Sequence, residues 1–412
     1  MTFKVKTKGQ IEGEKLLVPK LRFKEFKNEW NEITLKKLLS FKNGINGDKD
    51  SYGYGIKYIS VGDILNNTYI TYDKIKGLID INDKTLKENS VEYGDMVFQR
   101  SSETFNDIGQ ANVYLDKKKI ATFGGFVIRG KKIGNYNPLF FNYLLKSPCN
   151  RKKVIVKGAG AQHYNISQEE LEKIKVNFTG EKEQVKIANL FYSLDKKIEL
   201  QKQKIEALKI YKKGLLYKTF IKCCANCKIK DLLILGKSGG TPKSTNADYY
   251  DGNIPFLSIT DMTSQGKYIK QTEKHISNLG LENSSAWLLP VNTLILSMYA
   301  SYGLVSINKI SLSTSQAMFN MIFKENINVE YIYYYLNYLK ETHFYEELVS
   351  TGTQSNLNAD KVKNIPIYLP NKTEQTRISS LFNVLDNKIE LQESNLNSLI
   401  MLKKSLLQQM FI

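Results

Sequence analysis

The residues of this chain best suited to bind a metal ion are four cysteines and three histidines, and two of the cysteines form a Cys224-x-x-Cys227 pair. A structural zinc site needs four such ligands arranged as a tetrahedron. The chain has no second closely spaced pair, and its histidines lie far from the first pair in sequence. The spacing therefore favours ordinary reduced thiols near a domain boundary over a metal site or a disulfide.

Three further fragments have some of the residue types found in catalytic sites. Segment 137–140 (NPLF) resembles the Asn-Pro-Pro-Tyr/Phe loop of adenine-N6 methyltransferases but lacks the second proline, and no Phe-x-Gly-x-Gly loop for S-adenosylmethionine accompanies it. Segment 236–238 (GKS) could end a P-loop, but Asp231 stands where that loop requires glycine. His163 has no evident nucleophile or orienting carboxylate nearby in sequence. We therefore expect no enzyme activity; the alternative, a self-contained methyltransferase or nuclease, would be revealed by binding of S-adenosylmethionine to the isolated chain.

The charge of the chain points to a polyanionic partner. Lys and Arg number 59 against 41 Asp and Glu, a formal net charge of +18. Residues 117–168 contain eleven Lys and Arg and no acidic residue, although several acids would be expected there from their frequency in the whole chain. A basic surface gains affinity for nucleic acid by releasing counterions from phosphates. A solvated Lys-rich surface, or a coiled-coil scaffold without a role in nucleic-acid binding, is the other interpretation.

The length and hydropathy of the chain set its general class. A chain of 412 residues predicts two or more domains. No apolar run approaches the roughly 20 residues that a membrane-spanning helix needs, and the first residues lack the apolar segment of a signal peptide. We therefore expect a cytoplasmic protein that does not associate with a membrane.

The strongest feature of the sequence is an internal duplication at an offset of 191 residues. Residues 183–221 and 374–412 are identical at nineteen of 39 aligned positions. Both segments lack proline, and their apolar residues recur at the a and d positions of a heptad. Each segment is predicted to form one long helix of about 58 Å. We expect the apolar stripes of the two helices to pack on each other.

The segments that precede these helices repeat each other more weakly. In both, the sequence predicts a short helix, a buried β-strand and an aromatic helix, at 34–39 and 229–233, at 94–98 and 292–296, and at 139–145 and 331–339. The predicted fold class is α+β, with two α/β domains joined by two long coiled-coil helices. The predicted divisions are a flexible tail (1–19), a first domain (20–178), a first spacer helix (179–221), a second domain (222–370) and a second spacer helix (371–412).

This order of motifs resembles the specificity subunits of type I restriction-modification systems over nearly the whole chain. The matching motifs are segment 18–26 (VPKLRFKEF) with Trp30, segment 239–242 (GGTP), and the two duplicated helices. The resemblance implies that the two α/β domains are target-recognition domains, each of which recognises one half of a bipartite double-stranded DNA target, and that the two coiled-coil helices are antiparallel. It also implies two methyltransferase subunits and restriction/translocase subunits as partners, with S-adenosylmethionine, ATP and Mg on those partners and no cofactor in this chain. When isolated, the chain could form a homodimer.

The predicted DNA contacts lie on the loops after the buried strands, on the Gln-containing loops that close each domain, and on the basic stretch. In the first domain they are Gln99, Arg100, Ser101, Arg129, Lys131, Lys132, Arg151, Lys152, Lys153, Gln162, His163 and Asn165. In the second domain they are Lys237, Lys243, Ser297, Tyr299, Ser301, Gln354 and Asn356. Arg, Asn and Gln match the hydrogen-bonding edges of guanine and adenine, whereas Lys and Arg on a surface suit phosphates. We predict no catalytic, cofactor-binding or metal-binding residues.

Overall fold

The computed structural model describes residues 3–5, 17–160, 163–299, 301–350 and 356–412. The chain divides into two compact units, one formed by Met1–Lys202 with Ser394–Ile412 and the other by Gln203–Glu393. The two divisions fall at equivalent points of the duplicated helices, 191 residues apart. Each unit therefore contains one globular domain, the first half of the long helix that follows it, and the second half of the other long helix.

The first unit is built from short sheets and helices. A four-stranded antiparallel sheet has the order Leu39–Asn43, Val127–Lys132, Met96–Gln99 and Ala111–Val113, and a three-stranded sheet has the order Thr122–Phe123, Tyr52–Ile59 and Gly77–Ile79. Three strand pairs complete the set: Phe3–Val5 with Leu21–Phe23, Asn31–Thr34 with Lys175–Phe178, and Ser101–Ser102 with Tyr164–Asn165. The α-helices are Val61–Asn66, Asp83–Glu88, Pro138–Lys146, Pro148–Ile155 and Gln168–Glu172.

The second unit repeats this plan with one more strand in its main sheet. The five-stranded sheet has the order Leu233–Ser238, Met318–Phe323, Leu294–Ser297, Val305–Asn308 and Tyr268–Ile269. A three-stranded sheet has the order Lys274–Ile276, Tyr250–Leu257 and Ser313–Thr314, and Cys227–Lys228 pairs with Pro366–Ile367. The α-helices are Ile229–Leu232, Ile259–Gln265, Asn278–Glu282, Val329–Glu341, Phe344–Ser350 and Ala359–Lys363.

The two predicted long helices are present, as Glu181–Phe220 and Lys372–Gln409. Within the first unit, Lys403 of the second helix donates to Asp195 of the first at 2.5 Å. Within the second unit, Lys212 of the first helix pairs with Asp386 of the second at 2.5 Å, and Lys209 pairs with Glu393. In the first unit Phe191 also stacks on Phe411. Because partners further along one helix lie earlier on the other, the helix halves in each unit run antiparallel, as predicted.

The aromatic helix of each domain fixes that domain to its long helix. In the first unit the side chain of Asn137 caps the helix by accepting from Phe140 N, while Gln184 Oε1 accepts from Asn137 N at 2.9 Å. In the second unit Asn328 and Gln375 make the same contacts, with Asn328 N donating to Gln375 Oε1 at 2.8 Å. The NPLF segment is therefore the capped start of a helix, which is consistent with the weak match of this segment to a methyltransferase loop.

The ends of the long helices pack into the domain cores. The ring centre of Phe411, near the end of the chain, lies 6.2 Å from the ring centre of Trp30 and 5.8 Å from that of Phe191. Its equivalent Phe220 packs 5.1 Å from Tyr335 in the other unit. Apolar burial at both ends thus joins each globular domain to both helices.

One predicted element differs from the structure. The predicted helix at 34–39 is instead the end of strand Asn31–Thr34 followed by one 3₁₀ turn, Leu35–Lys37. The strand forms because Asn31–Thr34 pairs with Lys175–Phe178, and Leu35 N then donates to Ile174 O at 2.9 Å. Pairing with a segment about 140 residues away overrides local helix propensity. None of the described helices is long and apolar enough to cross a membrane.

Candidate nucleic-acid interface

In each domain, the loop after the central buried strand lies against the loop that closes the domain. In the first domain Ile166 N donates to Arg100 O at 3.0 Å, and Ser101 Oγ donates to Asn165 Oδ1 at 2.5 Å. In the second domain Leu357 N donates to Met298 O, also at 3.0 Å. The structure therefore brings together the two kinds of loop in which the sequence placed base contacts.

A four-residue turn forms the third part of this surface in each domain. Phe126 O accepts from Arg100 N at 2.8 Å, and Ala317 O accepts from Met298 N at the same distance. The turns 124–127 and 315–318 are each closed by a backbone hydrogen bond between their first and last residues. The two domains thus present the same three-part backbone frame with different side chains on it.

Two of the predicted base contacts are buried within this frame. Gln99 is 5% exposed, and its Nε2 donates to Ser101 O at 2.9 Å. Ser297, at the equivalent position, is fully buried and donates to Ser301 O at 3.0 Å. Side chains so enclosed support the loop from beneath, so these two predictions are corrected: Gln99 and Ser297 shape the loops and do not present polar atoms to a ligand.

Two arginines of the basic stretch also have structural roles. Arg151 donates to the carbonyl oxygens of Gly109, Ile108 and Asn106 at 2.8–3.0 Å, and burial lowers its pKa to about 10. Arg129 is 6% exposed, donates to Ser90 O and lies 5.4 Å from the centre of the Phe123 ring. Burial also lowers the pKa of Arg129. Because both guanidinium groups are engaged inside the domain, the prediction that they contact DNA phosphates is corrected.

The other predicted residues of the first domain that the structure describes are accessible. Arg100 lines a cavity of about 580 Å³ together with Asn165, Lys157 and Asn43. His163 and Lys152 are exposed, and Lys153, Lys131 and Lys132 are partly exposed. Lys131 pairs loosely with Glu92 at 3.7 Å, and Lys132 lies 4.9 Å from the centre of the Tyr136 ring. Their contact with DNA stays a prediction.

In the second domain the accessible residues are Tyr299, Ser301, Asn356, Lys237 and Lys243. Tyr299 is 41% exposed on the loop after the central strand, and Asn356 directly precedes the Leu357 contact to that loop. Ser301 has a φ of 57°, a backbone conformation typical of a tight turn. Lys237 lies 5.2 Å from the centre of the Trp287 ring. The predicted contacts Gln162 and Gln354 lie outside the described residues.

The glycines of the GGTP segment bring its backbone close to two neighbouring segments. A Cβ on Gly239 would lie 2.2 Å from Thr314 O, and one on Gly240 would lie 2.3 Å from Ala286 N. The glycine motif is therefore explained by close packing of the backbone next to the turn 315–318.

Within the described residues, no group of three or more His, Cys, Asp or Glu side chains could hold a metal ion.

Comparison with known proteins decides the family. The model of the type I restriction modification DNA specificity domain matches the chain twice, at residues 27–209 and 224–401. This chain belongs to the type I restriction-modification DNA specificity family. The predicted resemblance and fold class are thereby confirmed, and each matched copy covers one globular domain and most of its long helix.

Several curated specificity subunits are similar to this member of the family. The MjaIX specificity subunit of Methanocaldococcus jannaschii is 28% identical over 164 residues, which are 40% of this chain and 38% of that protein. The HindI specificity subunit of Haemophilus influenzae is 31% identical over 171 residues, 40% of this chain and 37% of that protein. The alignments with these two relatives therefore span less than two fifths of their length. The putative MjaX specificity subunit of M. jannaschii is 23% identical over 402 residues, 93% of each chain.

Solved structures show the same fold. The S subunit of a type I restriction-modification system from M. genitalium is 17% identical, with a TM-score of 0.58 over 96% of this chain and 99% of that one. A chain from a structure of type I R-M complex assembly and conformational transition is 13% identical, with a TM-score of 0.61 over 92% of this chain and 96% of that one. At these identities the likeness concerns the fold alone.

Two accessible residues of the specificity-domain surface were missed in the sequence. Phe126 is 67% exposed at the tip of the turn 124–127. Its position between two glycines and a buried strand was the signal that could have identified it. Lys157 lines the cavity beside Arg100 and pairs with Glu170 at 3.0 Å. It lies in the acid-free stretch but outside the Lys and Arg clusters of that stretch.

Proposed function

We propose that this chain binds double-stranded DNA at a bipartite target, with each globular domain recognising one half-site, and that it confers this specificity on partner subunits of a type I restriction-modification complex. One observation carries the proposal. The two domains share a backbone frame at equivalent positions but differ in the accessible side chains on it, since Arg100 stands where the second domain has the buried Met298, and the exposed Phe126 stands where it has Ala317. A duplicated frame with changed contact residues is what recognition of two different half-sites requires.

The charge of the first domain supports a DNA partner. Residues 117–168 place Lys117, Lys118 and Lys119, together with Lys152, on the exposed surface without a single acid in the stretch. Such lysines suit phosphates, and the affinity that they provide falls as the salt concentration rises. We infer that they position the DNA, while the loop side chains around Arg100 and Tyr299 select its sequence.

The exposed apolar side chains of the long helices support the binding of two copies of one partner. The first unit exposes Leu200, Met401 and Leu402, and the second unit exposes the equivalent Leu391, Ile210 and Tyr211. Exposed apolar side chains repeated at equivalent positions of the two units favour a partner that binds each unit through the same apolar helical surface and is therefore present in two copies. We infer that these copies are the two methyltransferase subunits, and that in their absence the same side chains favour a homodimer.

The chemistry of the complex would then belong to the partners. We propose that S-adenosylmethionine is bound by the methyltransferase subunits and that ATP and Mg are used by restriction/translocase subunits. The three curated relatives named above are each called a specificity subunit, which supports a non-catalytic role for this chain.

The proposal is tested by mapping methylated adenines in cells that carry the partner subunits and either Arg100→Ala or Tyr299→Ala. A side chain that reads a base contributes about 1–3 kcal/mol of discrimination. Arg100→Ala should therefore relax one position of one half-site, and Tyr299→Ala should relax only the other half-site. Each variant is the control for the other. Relaxation of both half-sites by either variant would contradict the assignment of one half-site to each domain.

A further inference from the structure

Phe126 is a large apolar side chain with most of its surface in solvent. It is 67% exposed, at the third position of a turn in which Val127 N donates to Gly124 O at 2.8 Å. The neighbouring Val127 and Phe123 are fully buried. The fold of this region therefore depends on residues beside Phe126, and the ring itself adds little burial to the domain.

The turn that carries Phe126 packs closely against two neighbouring side chains. A Cβ on Gly124 would lie 2.2 Å from the Tyr58 hydroxyl oxygen, and one on Gly125 would lie 1.9 Å from Asn46 Oδ1. A larger residue at either position would have to push the end of one of these side chains aside. The ring of Phe126 is thus presented from a backbone that is already in place, which lowers the entropy cost of a contact made there.

Phe126 also lies beside the accessible polar residues of the first domain. Its carbonyl oxygen accepts from Arg100 N at 2.8 Å, and the Arg100 guanidinium reaches Gly125 O at 3.3 Å. The next residue, Ser101, is bonded to Asn165 across the two loops. An arginine, an asparagine and an exposed aromatic ring therefore share one surface.

The second domain has the same turn without the ring. Met318 N donates to Ser315 O at 3.1 Å, and Ala317 occupies the position of Phe126, with its carbonyl oxygen accepting from Met298 N. Since the frame forms equally well with alanine, the phenylalanine is not required to form the turn. It is a difference between the two domains at the point where their ligands should differ.

We propose that Phe126 contacts the C5 methyl group of a thymine in the half-site bound by the first domain. The inference rests on the proposed function and deepens it by naming one base. In the major groove, thymine is distinguished by this methyl group, for which an apolar side chain such as Phe is the matching contact, while Arg matches guanine and Asn matches adenine. The surface around Phe126 holds one side chain of each kind.

The test uses the chain purified with its methyltransferase subunits, and target duplexes in which single thymines of the half-sites are replaced by deoxyuridine, which lacks the methyl group. Phe126→Ala copies the second domain and should keep the melting temperature. Ile133→Ala is the matched control: Ile133 is 60% exposed beyond the other end of strand Val127–Lys132, about 20 Å away. Dissociation constants are measured for each protein on each duplex and on a scrambled duplex.

We expect one deoxyuridine in one half-site to weaken binding by the wild type about fourfold, the effect of removing one buried methyl group. Phe126→Ala should bind the thymine target about tenfold more weakly. It should also be indifferent to that deoxyuridine, whereas Ile133→Ala should behave as the wild type. Equal sensitivity of Phe126→Ala and the wild type, or no sensitive thymine at all, would overturn the inference. A wild type that does not distinguish the target from the scrambled duplex would instead overturn the proposed function.

Discussion

At the scale of single residues, burial decides what a basic side chain does in this protein. The cluster 151–153 looks uniform in sequence, yet Arg151 is engaged by three backbone carbonyl oxygens while Lys152 is exposed. The guanidinium of Arg151 ties the segment 106–109 to helix Pro148–Ile155. Because Gly109 N in turn donates to Gln99 O, this tie also supports the central strand.

Arg151→Ala should therefore lower the free energy of unfolding by about 2–3 kcal/mol, because the hydrogen bonds from a charged donor are removed and buried carbonyl groups are left without a partner. Lys152→Ala should change it by no more than about 0.5 kcal/mol. Denaturant unfolding of both variants measures the difference. Equal stabilities would show that the Arg151 contacts contribute nothing to the fold.

For DNA affinity we expect the reverse: the two lysines of this cluster should matter more than Arg151. Neutralising Lys152 and Lys153 together should weaken binding to all sequences and shallow the salt dependence of affinity, by up to about 0.9 for each DNA phosphate that these lysines would otherwise neutralise. Binding titrations at several salt concentrations measure this slope. An unchanged slope would mean that these lysines face away from the DNA.

At the scale of the elements, one set of contacts joins helix to helix and helix to domain in both units. In the first unit Asp195 accepts from Lys403 at 2.5 Å and from the Tyr143 hydroxyl at 2.7 Å. In the second unit Asp386 pairs with Lys212 at 2.5 Å and accepts from the Tyr334 hydroxyl at 2.6 Å. All three positions repeat at the offset of 191 residues. Each lysine occupies an a position of its heptads, where a charged residue needs such a partner.

A double-mutant cycle with Asp195→Asn and Lys403→Met should give a coupling energy of about 1–3 kcal/mol, because the two charges are mostly shielded from water. The equivalent cycle with Asp386→Asn and Lys212→Met should give a similar value. Lys404→Met, at the exposed neighbouring position, is the control and should show no coupling with Asp195→Asn. Additive effects in both cycles would show that these pairs do not hold the helices together.

Of all the elements of the fold, the two long helices were the best predicted from the sequence. The duplication at 191 residues predicted both long helices, because heptad spacing and the absence of proline are local properties that a helix displays directly. The aromatic helices and the central strands were predicted for the same reason. The segment 34–39 was mistaken for a helix because its strand depends on pairing with Lys175–Phe178, which no local pattern reveals.

The candidate interface was only partly predictable. Loops after buried strands could be identified, and the structure shows that they meet through Ile166 with Arg100 and through Leu357 with Met298. Which side chains on those loops face inward could not be predicted, because Gln99 and Ser297 are enclosed by strands that pair with them, at Val127 and at Met318, and by their own loops. The same limit hid Phe126, which is exposed at the tip of a turn whose backbone is bonded to Arg100.

At the scale of the whole molecule, the proposed function makes the two long helices the spacer between two DNA-reading domains. The units divide after Lys202 and after Glu393, so residues added at these two points leave every contact within each unit in place. One heptad added at both points keeps the a and d positions in phase. It lengthens each helix by roughly 10 Å, at about 1.5 Å per residue.

The most direct test of the account is a genome-wide map of methylated adenines in cells that carry the partner subunits and this lengthened chain. The unspecified gap between the half-sites should grow by about three base pairs, at about 3.4 Å each, while both half-site sequences stay the same. The unaltered chain, mapped in the same cells, supplies the reference gap. Changed half-site sequences with an unchanged gap would contradict the account, because the helices would then not separate two independent readers.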